Sequence, residues 1–112
     1  MPMAILLIVN LCLAQAAPPP PDLAAAGRRV YEQRKCATCH MIDGRGNIRF
    51  ALDHVASRLT AADIRRWLTD TAEMERALQT QPAIRMSEWL KSNRKIGDAD
   101  LDALVAYLVT LK

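Results

Sequence analysis

Apolar residues near the start of the chain recur at the spacing of an amphipathic helix. Leu23, Ala26 and Val30 share one helical face, and the residue before them, Asp22, is of a type that caps helix N-termini. The pattern ends near Lys35, directly before a pair of cysteines. The sequence therefore predicts a first helix that is capped by Asp22 and ends near Lys35.

Two helices are predicted in the middle of the chain. Thr60 and Asp63 have the spacing of a capping box, which marks the start of a helix. The apolar residues of that helix are Ile64, Trp67 and Leu68. A shorter helix is predicted over residues 73–78, since Pro82 prevents a helix from continuing beyond this point.

The last helix has the clearest pattern, with Asp98 after Gly97 predicted as its cap. Its apolar stripe consists of Leu101, Leu104, Val105 and Leu108. No segment of the chain alternates apolar and polar residues at period two, as a half-buried strand does. A chain of 112 residues makes one small domain, and its pattern predicts an all-α fold.

An apolar run over residues 4–14 precedes this helical part. It is followed by an Ala-Gln-Ala sequence at 14–16, which resembles a signal-peptide cleavage site, and by four prolines at 18–21. No Lys or Arg precedes the run and Cys12 lies within it, which leaves a retained or lipidated anchor as the alternative to cleavage.

The domain boundaries follow from these segments. We predict a signal peptide or N-terminal anchor over 1–17, a stiff proline-rich spacer over 18–21 and a single domain over 22–112. The protein is therefore expected to be exported to the periplasm, and any membrane contact is expected only through a retained anchor.

The most specific motif of the chain is Cys36-Ala37-Thr38-Cys39-His40. In a C-x-x-C-H sequence, the two thiols add to the two vinyl groups of one haem, and the neighbouring imidazole binds its iron. A thioredoxin-type redox pair would need a βαβ context, which the segments on either side of the motif do not supply. A zinc site would need a second Cys/His pair at a zinc-like spacing, and the sequence has none. The motif predicts one covalent haem c on Cys36 and Cys39, with His40 as an iron ligand.

The charge balance is mildly basic, with 15 Lys and Arg against 12 Asp and Glu. This excess is small for nucleic-acid binding, and basic residues are not interleaved with aromatic ones, so nucleic acid is excluded as the partner. The basic residues that bracket the haem motif are Arg28, Arg29, Arg34, Lys35, Arg45 and Arg49. They predict a basic rim that steers an acidic redox partner, although an ordinary solvated face has the same composition.

The chain from Asp22 to Lys112 resembles the class I cytochrome c family, specifically its small bacterial monohaem members. The resemblance is carried by Gly27, Tyr31 and the C-x-x-C-H motif, and by a D-x-x-L-x-x-L-V-x-Y-L sequence at 98–108. It implies a cytochrome c fold, with three to five helices wrapped around one haem. The first and last helices would then cross at Gly27, with Tyr31 and Tyr107 packed around the crossing.

The resemblance also implies a second axial ligand, usually a methionine in a loop before the last helix. Met86 lies where this loop is expected and is the preferred ligand. Met74 lies on a predicted helix, where methionine is more typical of core packing. His54 would give bis-histidine ligation, and an open sixth position is the remaining alternative.

Further contacts to the haem are implied by the resemblance. Arg58 matches a position that contacts a propionate in relatives, and Trp67 offers an indole N–H, although a tryptophan on an apolar face is usually core. Relatives carry a Gly-Pro-x-Leu sequence whose proline carbonyl orients the proximal histidine, but residues 50–52 read Phe-Ala-Leu. We expect a carbonyl between Ile48 and Ala51 to accept this bond from His40 instead.

These observations favour a monohaem electron carrier, not itself an enzyme, that passes single electrons between respiratory or periplasmic redox partners through His/Met-ligated iron. No cluster of acid, base and nucleophile is recognisable elsewhere in the sequence. An open or labile sixth position would instead indicate peroxidase-like catalysis or small-ligand sensing. A third possibility is a haem subunit of a larger respiratory or substrate-oxidising complex, which would still relay electrons.

Overall fold

The structure of the protein is a computed structural model that describes residues 21–93 and 95–112. These residues form six α-helices: α1 (Pro21–Gln33), α2 (Val55–Arg58), α3 (Ala61–Thr69), α4 (Thr71–Arg76), α5 (Met86–Ser92) and α6 (Asp98–Leu108). The predicted all-α fold is confirmed, but the described residues contain six helices instead of the expected three to five, and α2, α4 and α5 are each short. The predicted leader and residues 18–20 of the predicted spacer lie outside the described residues.

The ends of α1 and α6 differ slightly from the prediction. Helix α1 begins at Pro21. Proline suits the first helical position, because the N–H group that it lacks would have no acceptor inside the helix. Asp22 and Asp98 lie inside the first turns of α1 and α6, and Gly97 is the N-cap of α6. Both carboxylates therefore act on the positive helix end from within the helix and do not cap it.

The predicted capping box at α3 is confirmed. Thr60 Oγ1 accepts a hydrogen bond from Asp63 N at 3.1 Å, and Asp63 Oδ2 accepts one from Thr60 N at 3.2 Å. Ile64 of this helix is buried at 3% exposure. Helix α4 covers most of the short helix that was predicted over 73–78, two residues earlier in the chain.

The core lies where α1 and α6 pack together, and all four residues of the predicted α6 stripe are buried. Gly27 is at the contact, because a Cβ built there would lie 2.6 Å from Ala103 C and 2.7 Å from Tyr107 Cβ. The rings of Tyr31 and Tyr107 meet edge to face, with centroids 6.0 Å apart. The predicted contact of the two helices at Gly27 is therefore confirmed.

A small sheet that the sequence did not predict follows α1. Its strands are β1 (His40–Ile42), β2 (Arg45–Gly46) and β3 (Phe50–Ala51), in the order β2-β1-β3. Strand β1 pairs antiparallel with β2 and parallel with β3, which sets His40 opposite Phe50. Strands this short cannot show a period-two pattern, so the sequence carries no signal for them.

Within the described ranges, no helix has the length and apolar character needed to cross a bilayer.

Candidate functional site

A single tight turn carries the two cysteines of the motif. Lys35 adopts a left-handed conformation (φ 55°) after α1 and leads into a 3-10 turn over Cys36–Thr38. Cys39 N then donates a hydrogen bond to Cys36 O at 3.1 Å. Both thiols are free and half-buried, and the turn keeps them close along the backbone, as attachment to one porphyrin requires.

The protonation behaviour of Cys36 differs from that of a redox-active cysteine. Burial raises the pKa of its thiol to about 11, because the low-dielectric surroundings disfavour the thiolate. Thioredoxin-type cysteines have a depressed pKa, since the thiolate is their nucleophile. In the described part of the chain, moreover, no three His, Cys, Asp or Glu side chains are grouped as metal ligands. The redox-pair and zinc alternatives therefore gain no support.

The imidazole of His40 is oriented by a backbone carbonyl. Its Nδ1–H donates a hydrogen bond to Phe50 O at 3.0 Å, and because a carbonyl only accepts, the proton lies on Nδ1 and the Nε2 lone pair is free. Burial lowers the pKa of His40, and the bond to Phe50 partly offsets this effect. The neutral imidazole, which is the form that binds iron, is thus favoured.

The prediction that a carbonyl between Ile48 and Ala51 orients His40 is confirmed, with Phe50 as the acceptor. The parallel pairing of β1 with β3 supplies this geometry without the proline of the relatives. The ring of Phe50 also meets the His40 ring edge to face, with centroids 6.1 Å apart. The small sheet is therefore the element that orients the His40 imidazole.

The glycine-containing turn after the motif, which the sequence indicates by Gly44 and Gly46, packs directly against the motif backbone, and this contact was not predicted. Gly46 has φ +109°, and a Cβ there would overlap His40 O and lie 3.0 Å from Ala37 O. The next residue, Asn47, donates its N–H to Ala37 O at 3.2 Å and to His40 O at 3.0 Å. The two motif carbonyls are thus satisfied by this turn.

The predicted sixth ligand, Met86, is the first residue of α5 and is half-buried. The expectation that it lies in a loop is wrong, because the segment after Arg85 is helical. Met74, the alternative, is half-buried on α4. The ligand role of Met86 stays a prediction.

The other predicted site residues lie on three helical segments. Arg58 is exposed at the end of α2, and Trp67 is half-buried on α3. Neither side chain makes a hydrogen bond or ion pair within the described residues. His54 is exposed at the start of α2, where its Nδ1–H donates to Lys112 O at 2.8 Å. Haem contacts by these residues remain predictions.

Two buried polar residues near Met86 were missed by sequence reasoning. Glu75 on α4 is 4% exposed and Ser87 on α5 is 9% exposed. Both contribute to the hydrogen bonds that join the two helices. The sequence carries no signal for this pair, because a glutamate that faces the protein interior is not distinguishable from its exposed neighbour Glu73.

The residues of the site fit haem c. Two free thiols share one turn, and a neutral imidazole next to them has a free Nε2. Large apolar side chains are exposed close to the motif in the sequence, with Ile48 at 79% and Phe50 at 41% exposure. An apolar macrocycle bound next to the motif would remove part of this apolar surface from water.

Comparison with known proteins agrees with this chemistry. The family model described as cytochrome c matches residues 24–112. No curated protein and no solved structure matches the chain. Members of the matched family bind haem c covalently through cysteines and are typically exported, and Cys36 and Cys39 are the attachment residues here. The chain therefore belongs to the cytochrome c family.

Proposed function

We propose that this protein is a periplasmic monohaem electron carrier in which His40 and Met86 ligate the haem iron. The observation that carries the proposal is the bond from His40 Nδ1–H to Phe50 O at 3.0 Å, which leaves Nε2 for the metal. When bound, haem supplies a one-electron Fe(III)/Fe(II) couple. The chain itself orients the proximal imidazole through the Phe50 carbonyl.

Met86 is favoured as the second ligand by its place in the chain and by its surroundings. It is half-buried and begins α5, a helix whose first turn is bonded to the buried Glu75. A thioether is a soft ligand that raises the reduction potential of haem iron. With both axial positions filled by protein, electrons are exchanged without any bond-making at the metal, which is the property of a carrier.

Replacement of the thioether is the test of this function. We expect the ferric wild-type protein, produced with the cytochrome c maturation machinery, to be low-spin with the weak far-red sulfur-to-iron band. In Met86→Ala the band is expected to be lost and the iron to become high-spin, because no other side chain takes the position. Absorption spectra of the ferric and dithionite-reduced proteins measure both effects.

Met74→Ala is the matched control, since it removes a half-buried methionine from the neighbouring helix α4. This variant is expected to keep the far-red band. A band that survives in Met86→Ala but disappears in Met74→Ala would transfer the ligand role to Met74. A wild-type protein that is already high-spin would favour the alternative of catalysis or ligand sensing at an open position.

We also propose that an acidic redox partner docks on the basic residues around the motif. Two members of this group have carboxylate partners, since Arg28 Nε lies 3.4 Å from Glu32 Oε1 and Arg34 Nη2 lies 3.9 Å from Asp100 Oδ2. Lys35 and Arg49 are exposed, and no carboxylate of residues 21–93 or 95–112 is within ion-pair distance of either. These two cations are therefore available to attract negative charge.

Oxidation by small reagents of opposite charge tests the docking proposal. Arg49→Glu is expected to slow oxidation of the reduced protein by ferricyanide about threefold at low ionic strength, because the variant removes local attraction of the anion. Oxidation by a cationic cobalt complex should instead become faster. Arg76→Glu, which changes the net charge equally on α4, is the control. Equal effects of the two variants with both reagents would contradict a local basic rim.

A further inference from the structure

A buried hydrogen-bonded pair joins α4 to α5. Glu75 Oε1 accepts from Ser87 N at 2.9 Å, and Glu75 Oε2 accepts from Ser87 Oγ at 2.6 Å. Glu75 is 4% exposed and Ser87 is 9% exposed, so neither side chain has ready access to water as a substitute partner. Burial of a polar group without its partner is costly, and both oxygens of the carboxylate are therefore committed to this one residue.

This pair supplies the cap that α5 lacks. Arg85, the N-cap residue, makes no side-chain capping bond. The N–H of Ser87 is one of the first-turn donors that have no acceptor inside the helix, and the Glu75 carboxylate accepts it from outside. A carboxyl group at this end also interacts favourably with the helix dipole. The start of α5 therefore depends on a residue of α4.

The bonds to Ser87 act directly on Met86. Ser87 N belongs to the same planar peptide unit as the Met86 carbonyl, so fixing this nitrogen fixes the plane next to the Met86 Cα. On the other side, Gln81 Nε2 donates to Glu75 O at 2.9 Å and to Leu78 O at 3.2 Å. The segment that leads to Met86 is thus fastened to the end of α4.

We propose that Glu75 and Ser87 are positioning residues that hold the Met86 thioether at the haem iron and so resist its displacement by external ligands. The inference rests on the proposed His/Met ligation. Neither residue touches the metal. Their effect comes from the fixed backbone at 86–87, which lowers the freedom that Met86 would gain on leaving the iron.

Imidazole binding to the ferric haem-loaded protein tests this role, because imidazole competes with the thioether for iron. Ser87→Ala removes the hydroxyl bond and leaves Glu75 Oε2 without its donor. We expect the affinity for imidazole, followed by loss of the far-red band, to rise about tenfold. Ser87→Thr keeps the hydroxyl and is expected to remain within about twofold of the wild type.

A control variant and a change at Glu75 test whether the effect is specific to the bonds between Glu75 and Ser87. Ser92→Ala removes an exposed serine of the same helix, whose Oγ donates to Glu88 O at 3.2 Å, and is expected to leave imidazole affinity unchanged. Glu75→Gln keeps one acceptor oxygen and replaces the other by an NH2 donor, so one of the two bonds from Ser87 is lost and the affinity should also rise. If the two residues act through each other, the double variant with Ser87→Ala should exceed neither single variant by more than about twofold.

Met86→Ala, measured in the same titration, separates this inference from the proposed function. If Met86→Ala loses the band and binds imidazole far more tightly while Ser87→Ala behaves as the wild type, the positioning role is overturned and the ligation stands. A lower melting temperature of Ser87→Ala without a change in imidazole affinity also overturns it, since the role is then structural. If Met86→Ala itself behaves as the wild type, both proposals are wrong.

Discussion

Gly27→Ala is expected to lower the free energy of unfolding of the haem-loaded protein by about 3 kcal/mol. The added Cβ would overlap Ala103 O and lie 2.6 Å from Ala103 C and 2.7 Å from Tyr107 Cβ. The Ala103 atoms are backbone atoms of α6 and cannot rotate away. The two helices must therefore separate, which also loosens the contact between the rings of Tyr31 and Tyr107. Denaturant unfolding measures the change.

Gly97→Ala is the matched control for this substitution. A Cβ at Gly97 meets nothing within 4 Å, and its φ of −69° is accessible to alanine. The expected cost is about 1 kcal/mol, which reflects only a poorer N-cap for α6. Equal losses of stability in the two variants would mean that the close contact between α1 and α6 is not what makes Gly27 sensitive.

Gly46→Ala is expected to damage the haem site as well as the fold. Its φ of +109° is strained for any residue with a Cβ, and that Cβ would overlap His40 O and lie 3.0 Å from Ala37 O. We expect a loss of about 3 kcal/mol in the free energy of unfolding. Because the turn satisfies both motif carbonyls, its displacement should also reduce the fraction of chains that carry haem. Mass spectrometry of the purified protein measures that fraction.

Gly44→Ala separates backbone strain from the close approach. Gly44 also has a positive φ, of +76°, but a Cβ there meets nothing within 4 Å. The expected cost is about 1 kcal/mol, from the left-handed conformation alone, with normal haem content. Haem content that falls as much in Gly44→Ala as in Gly46→Ala would show that strain in the turn, and not the contact with the motif, controls attachment.

The parts of the fold that the sequence predicted depend on local patterns. The apolar stripe of α6 and the capping box at Thr60 and Asp63 are each encoded within a few neighbouring residues, and the structure contains both. The carbonyl that orients His40 was predicted to belong to a residue between Ile48 and Ala51, because a metal-bound histidine needs a hydrogen-bond acceptor for its second ring nitrogen. The family resemblance supplied the contact of α1 with α6 at Gly27, which no local pattern indicates.

The parts that could not be predicted depend on partners that are distant in the sequence. Helix α5 has no cap of its own, and its first turn is stabilised by Glu75 from another helix. Residues 82–85 lie in a loop, as predicted, but no residue near Met86 in the sequence indicates that a helix begins there. The ion pair of Arg34 with Asp100 likewise joins side chains that lie far apart in the sequence.

The pairing of α1 with α6 has a consequence for the order of events when the chain is made. A polypeptide emerges with its N-terminal end first, so the cysteine pair after α1 is exposed before α6 exists. The main core contact joins opposite ends of the domain and cannot form until synthesis is nearly complete. Until α6 has packed on α1, the segment that follows α1 and carries Cys36 and Cys39 lacks the main core contact of the domain. The C-terminal helix α6 therefore completes the core, and the domain cannot close before α6 is in place.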